Sequence, residues 1–160
     1  MGEVITMDLF TGFLFRGLDQ DQLAKIGAIT TEISMENGQR IFVEGDEAKN
    51  LYVLKKGAVE LMTSVEQNLE LPISMLRDPG DIFGSHSFIA PYRYSLSARC
   101  EEAGSVLSIE RSSVKKLMVA DRGLECIIMR NLAEHFLDRL TETRQELKIH
   151  FRILFRSTRS

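Results

Sequence analysis

The chain has 160 residues, 44% hydrophobic and 27% charged, a globular mix that excludes a disordered polymer. A domain of this length buries about 70% of its unfolded surface, so one independent core with an appended element is expected. The net charge of −3 excludes a surface built wholly to grip nucleic acid or an acidic membrane, and no apolar run reaches the length of a membrane-spanning helix.

Met1 to Phe10 carries Glu3 and Asp8 and lacks the basic and long apolar regions of a secretion signal. Asp19 stands where an N-cap would start a short helix running through Ile29, while Gly12 and Gly17 break any helix before it. From Thr30 to Glu110 the texture is that of strands. Arg40–Val43, Leu51–Leu54, Val59–Met62, Ile73–Leu76 and Val106–Ile109 are short runs rich in branched and aromatic residues. Turn signals separate them at Asn37-Gly38, Glu44-Gly45-Asp46, Lys56-Gly57, Pro79-Gly80-Asp81 and Ala103-Gly104-Ser105. Gly45, Gly57 and Gly80 are expected to shape the backbone at hairpins and to touch no ligand.

Beyond Arg111 the period becomes helical. Ser112 or Ser113 is placed to cap a short helix over Val114–Val119 that ends near Gly123. Leu124 to about Phe155 holds no Gly or Pro and predicts one long helix. Ala133, Phe136, Leu140, Leu147 and Leu154 fall on a heptad seam interrupted by Thr143 and His150. A helix of that length outruns a small domain, so a homodimer through its second half is expected. The fold class is mainly β with α: an antiparallel jelly-roll-like β-roll flanked by a short N-terminal helix and a long C-terminal one. Residues 1–123 form the roll with its leading helix, and residues 124–160 form the long helix and a basic tail.

The run Phe42-Val-Glu-Gly-Asp-Glu-Ala-Lys-Asn-Leu-Tyr-Val-Leu-Lys-Lys-Gly-Ala-Val-Glu-Leu61 resembles the signature of cyclic-nucleotide-binding domains. Pro79-Gly-Asp-Ile-Phe-Gly84 is similar to the start of that family's phosphate-binding cassette, and Leu96-Ser-Ala98 to its end. The resemblance covers about Phe10 to Arg139. It implies an eight-stranded roll with helices at both ends, as in catabolite-activator and oxygen-responsive regulators or the regulatory domains of kinases and channels. It also implies a non-enzymatic sensor that takes a cyclic nucleotide such as cAMP or cGMP as ligand, with no resident cofactor or metal.

The cassette residues implied as ligand-binding are Gly84, Ser85, His86, Ser87, Tyr92, Arg93, Tyr94 and Ser95. Family members place a ribose-binding glutamate where Ser85 stands and a phosphate-binding arginine where Tyr92 stands. Two readings stay open. In one, a nucleotide binds atypically through the Gly84–Ser87 amides, Arg93 turned inward, Ser85 and Ser95. In the other, the cassette is degenerate, Tyr92 or Tyr94 closes the pocket, and the domain serves as a protein-interaction or dimerisation module.

His86 reads as a surface or hydrogen-bonded side chain, because the other two histidines, His135 and His150, lie on the long helix and no acid or thiol has ligand spacing. Cys100 and Cys126 likewise lack framework or metal spacing and read as buried structural thiols in a reducing compartment, which makes the cytoplasm the expected location. Glycine-flanked nucleophiles, phosphate loops and paired-histidine helix motifs are missing. Lys148, Arg152 and Arg156 recur every four residues and form a basic stripe, read as a solvated helix end. In regulators of this family the long helix leads into a helix-turn-helix, so nucleic-acid contact is expected only through a domain absent from this sequence. The chain then reads as a sensor portion or a module that signals to a downstream effector domain or protein, and no membrane partner is expected.

Overall fold

A computed structural model describes residues 8–159. A single 3-10 turn at Phe13–Phe15 precedes helix α1 (Gln20–Ala28). Six strands follow: β1 (Thr30–Met35), β2 (Arg40–Phe42), β3 (Asn50–Glu66), β4 (Leu69–Leu76), β5 (Ile82–Phe83) and β6 (Ser97–Glu110). A 3-10 turn at Ser85–Phe88 lies between the last two, and helices α2 (Arg111–Ala120) and α3 (Arg122–Ser157) close the chain. All pairings are antiparallel, in the order β1-β6-β3-β4, with β2 added to β6 and β5 to β3. This is the flanked roll that the sequence pattern implies.

The two long central strands carry the architecture. On β3, Leu51 and Val53 face a core shared with the helices, while Tyr52 and Leu54 face the interior of the roll. Both faces are covered, which is why this stretch is apolar without alternation. Midway, Gly57 (φ +98°) and Gly104 lie against the opposite backbone: a Cβ on Gly57 would sit 2.3 Å from the Glu102 carbonyl oxygen, and one on Gly104 2.0 Å from that of Lys56. The register shifts there, and the paired strands bend together. The expected turns at Lys56-Gly57 and Ala103-Gly104-Ser105 are therefore corrected to bends inside continuous strands. Taking the halves of β3 and β6 separately recovers the eight strands implied by the resemblance.

Asp19 caps α1 as expected: its carboxylate accepts from the Gln22 amide at 2.8 Å, and the Gln22 side chain accepts from the Asp19 amide at 3.0 Å. The start of α2 is corrected. Glu110 occupies the N-cap position, and the Ser112 hydroxyl donates to the Glu110 carboxylate instead of capping backbone. Nor does Gly123 end that helix. Extended Asp121 breaks it and caps α3 by accepting from the Leu124 amide at 3.0 Å, which places Gly123 in the first turn of the long helix.

Leu124, Ile128 and Leu132 bury the start of α3 against the 3-10 segment and the sheet. Asn131 Nδ2 donates to the Leu14 and Arg16 carbonyls at 3.0 and 2.7 Å, tying the N-terminal segment to this helix. Past Phe136 the helix leaves the body, and Leu140, Leu147, Phe151 and Leu154 are exposed. Among the described residues no helix is long and apolar enough to cross a membrane. Cys100 is buried, but Cys126 is exposed on α3, correcting the expectation of two buried thiols; it falls outside the inward Leu124–Ile128–Leu132 face.

Gly57→Ala is expected to destabilise the domain by about 3 kcal/mol, because positive φ and a backbone clash both penalise the added methyl. Gly38→Ala shares the left-handed φ (+84°) with nothing within 4 Å of the added carbon. It should cost only about 1 kcal/mol, the difference being read from urea denaturation midpoints.

Candidate ligand-binding site

Strand β5 ends at Gly84, whose φ of +81° turns the chain sharply into the Ser85–Phe88 turn. A Cβ there would lie 3.0 Å from the Asn50 carbonyl oxygen and 3.3 Å from the Tyr94 ring, so glycine lets the turn sit directly on the roll interior. Beneath it Tyr94 stacks on Phe42 with ring centroids 3.7 Å apart, and Tyr52 stacks on Phe83 at 5.2 Å. The Tyr94 hydroxyl donates to the Asn50 carbonyl at 2.7 Å and accepts from the Asn50 amide at 3.2 Å. Burial pushes its ionisation well above the usual phenol range, so the ring is a neutral, fixed floor.

Above this floor opens a cavity of about 320 Å³, at the small end of the roughly 300–1,000 Å³ typical of small-molecule sites. One side is hydrocarbon from the roll: Leu61, Ile73, Leu76, Ile82 and Leu96. Hydroxyls of Ser74, Ser85 and Ser95 punctuate it. The opposite side is α3, which supplies His135, Phe136 and Arg139. Their i, i+1, i+4 spacing puts them on one helix face. His86 bridges the two sides: its ring lies 5.5 Å from Phe136, and its Nδ1 lies 3.5 Å from the Ser95 hydroxyl. His135 stacks flat on Phe13 at 3.8 Å. Arg139 is the cation on the wall and pairs with Glu142, one turn along the helix, at 2.9 Å. Among the described residues no carboxylate side chain lines the cavity.

Of the residues singled out from the sequence, Gly84, Ser85, His86, Tyr94 and Ser95 meet on this wall. Ser87 is buried behind it, its hydroxyl without a hydrogen-bond partner. Tyr92 and Arg93 are not among the lining residues. At φ +56° Tyr92 presents its ring to α2, where the Arg111 guanidinium lies 4.4 Å and the Lys115 ammonium 4.3 Å from its centroid. Arg93 is exposed, its guanidinium donates to the Gly45 carbonyl at 2.9 Å, and its backbone forms an isolated antiparallel β-bridge with that of Glu47. The inward-turned Arg93 of the first reading is thus not the arrangement found: the guanidinium is spent on the neighbouring turn. Tyr92 does not close the pocket either, whereas Tyr94 partly fills it.

The helix side was missed by the sequence reading. The sequence reading places His135 on the long helix, away from His86, and Phe136 on the heptad seam. The His-Phe-x-x-Arg spacing within a long helix was the available signal. Among the described residues no three His, Cys, Asp or Glu side chains group as a metal site.

Burial lowers the pKa of both His86 and His135, with the Arg139 charge adding to the effect on His135. A depressed folded-state pKa means full stability above the unfolded value, about 6.5, and loss of stability as pH falls through the folded values. The thermal midpoint is therefore expected to fall between about pH 6.5 and 5, and the His86→Gln/His135→Gln double variant to flatten that slope.

The comparisons with known proteins agree with this geometry. The profile of the cyclic nucleotide-binding domain family matches residues 32–121. A candidate cyclic nucleotide-binding protein of Geobacter metallireducens GS-15 has a crystal structure that superposes with a TM-score of 0.70 at 32% identity, covering 84% of this chain and 97% of that one. The Thermus thermophilus catabolite activator protein superposes with a TM-score of 0.74 at 28% identity, over 86% of this chain and 62% of that one. The anaerobic regulatory protein of Bacillus subtilis is 29% identical over 136 residues, 83% of this chain. This chain spans 56% of that relative, about half its length. With the roll, the Gly84 turn and the closing helices in place, the chain belongs to the cyclic nucleotide-binding domain family.

Proposed function

We propose that the domain is a non-enzymatic ligand sensor that seats a small organic anion between roll and long helix and passes its occupancy along α3. The observation that carries this reading is the shared cavity: one ligand would touch the Gly84–His86 turn and the His135–Arg139 face of α3 at once. A ligand that bridges two elements stabilises one arrangement of them over others, which is all that a population shift requires. The regulators among its relatives support a role in signal transduction in the cytoplasm, acting on a downstream effector domain or protein.

Family membership puts cAMP and cGMP first among the ligands to be tried. The cassette is atypical for them, with Ser85 where the ribose carboxylate would stand and with Arg93 committed elsewhere. A lost charged hydrogen bond costs about 1.5–3 kcal/mol, or roughly a tenfold to hundredfold loss of affinity. A second reading, a degenerate module used for protein interaction or dimerisation, is favoured by Tyr94, whose ring and hydroxyl are satisfied inside the roll without any ligand.

In isothermal titration, cAMP or cGMP is expected to bind weakly, in the high micromolar range or above. Heat from neither nucleotide, nor from cyclic dinucleotides, at millimolar concentration would remove nucleotides from the reading.

Signalling is proposed to run through a homodimer. Leu140, Leu147, Phe151 and Leu154 lie along one side of the free half of α3, and all are exposed in the monomer. Sedimentation at high micromolar concentration is expected to give twice the monomer mass, and Leu147→Glu to return it to monomer mass.

A further inference from the structure

We infer that the cavity selects a compact monocarboxylate with an aliphatic or aromatic body, its charge held by Arg139 of the long helix. The inference rests on the ligand-sensing reading and names the ligand class of that site. Three features point the same way.

First, among the described residues the wall carries one permanent charge. Arg139 is the cation there, and with both imidazoles held low by burial it faces a ligand at neutral pH without further positive charge. One guanidinium suits one singly charged group such as a carboxylate and disfavours a phosphate monoester, which carries close to two charges; a cyclic phosphodiester is also singly charged and is set apart only by what surrounds the ligand's body. Arg139 already binds this group: the Glu142 carboxylate accepts from Nη1 at 2.9 Å. A ligand carboxylate would take over that planar fork.

Second, the body of the ligand meets hydrocarbon. Leu61, Ile73, Leu76, Ile82 and Leu96 line the roll side opposite the guanidinium, and Phe136 adds its ring from the helix side. Burying an alkyl chain or phenyl ring against them is favourable by about 25 cal/mol per Å². A cyclic nucleotide would bring its free ribose 2′-hydroxyl and the polar edge of its base to a wall on which, among the described residues, serines stand but no carboxylate.

Third, the space is small. Tyr94 is anchored to Asn50 by two hydrogen bonds of its hydroxyl and floors a space of about 320 Å³, at the small end of the range for small-molecule sites.

The test is a titration of the whole chain with sodium benzoate, sodium hexanoate, cAMP and cGMP, followed by calorimetry and by the NMR resonances of His86, His135 and Phe136. Benzoate or hexanoate is expected to bind at least tenfold tighter than either nucleotide. Arg139→Gln should weaken the carboxylate by about tenfold to a hundredfold. Glu142→Gln, which removes the competing carboxylate, should tighten it severalfold, a gain that a purely structural role for the pair would not produce. Arg93→Gln should leave binding unchanged. Tighter binding of a nucleotide than of both carboxylates would overturn the ligand class and leave the sensor reading standing. Carboxylate binding indifferent to Arg139→Gln would overturn the anchor. Silence of all four probes at about 10 mM would overturn the sensor reading together with the inference.

Discussion

The pairing of β3 with β6 governs the rest of the molecule. Each strand is long enough to run the length of the roll, and the two stay in antiparallel contact from Asn50–Glu110 to Met62–Ser97. They do so only by bending together where Gly57 and Gly104 press backbone against backbone. The bend lets a single sheet contribute to two cores, one inside the roll and one beneath the helices. The pairing also sets the cavity: β5 and the Gly84 turn hang from β3, and the last residue of β6 leads straight into α2.

The site lies where the roll's interior meets the first exposed turns of α3, which makes it a joint as well as a pocket. Upstream, Leu124, Ile128 and Leu132 lock the helix to the body; downstream, it carries its apolar side into solvent. His135, Phe136 and Arg139 occupy the few residues between these regimes. On the proposed reading, a ligand at this position would meet the helix where its tertiary contacts end, so that a modest interaction energy would suffice to shift its orientation. On the far side of the cassette, Tyr92 under Arg111 and Lys115 couples the same loop to α2.

Much of the fold was legible because its punctuation is local. Asp19 reads as a cap since a carboxylate at that spacing satisfies an amide three residues on, and the structure uses it so. The Gly57 and Gly104 signals are right in kind but not in role: a glycine marks a tight turn or a bend equally well, and which one depends on a partner strand some 45 residues away. Ser112 and Ser113 were plausible caps by type, but the turn begins three residues before Val114, so they fall inside the helix. The site was half legible. Gly84, Ser85, His86, Tyr94 and Ser95 are contiguous enough to be named from one motif, whereas Arg139 joins them across more than forty residues.

By itself, the sequence determined the order of helix, roll and long helix, the cassette turn at Gly84, and the absence of a glutamate at Ser85. These rest on residue chemistry and short-range backbone preference, which act within a few positions of the chain. Only the tertiary structure decided that Arg93 is spent on the Gly45 carbonyl, that Tyr92 faces α2 while Tyr94 fills the roll, and that the cavity's cation comes from α3. Tyr92 at φ +56° breaks the two-residue alternation of an extended loop, so Tyr92 and Tyr94 part company, and which of them looks inward is set by the partners waiting on each side. Here those partners, Asn50, Gly45 and Arg111, lie between 19 and 48 residues away and are brought to the loop only by the folded roll.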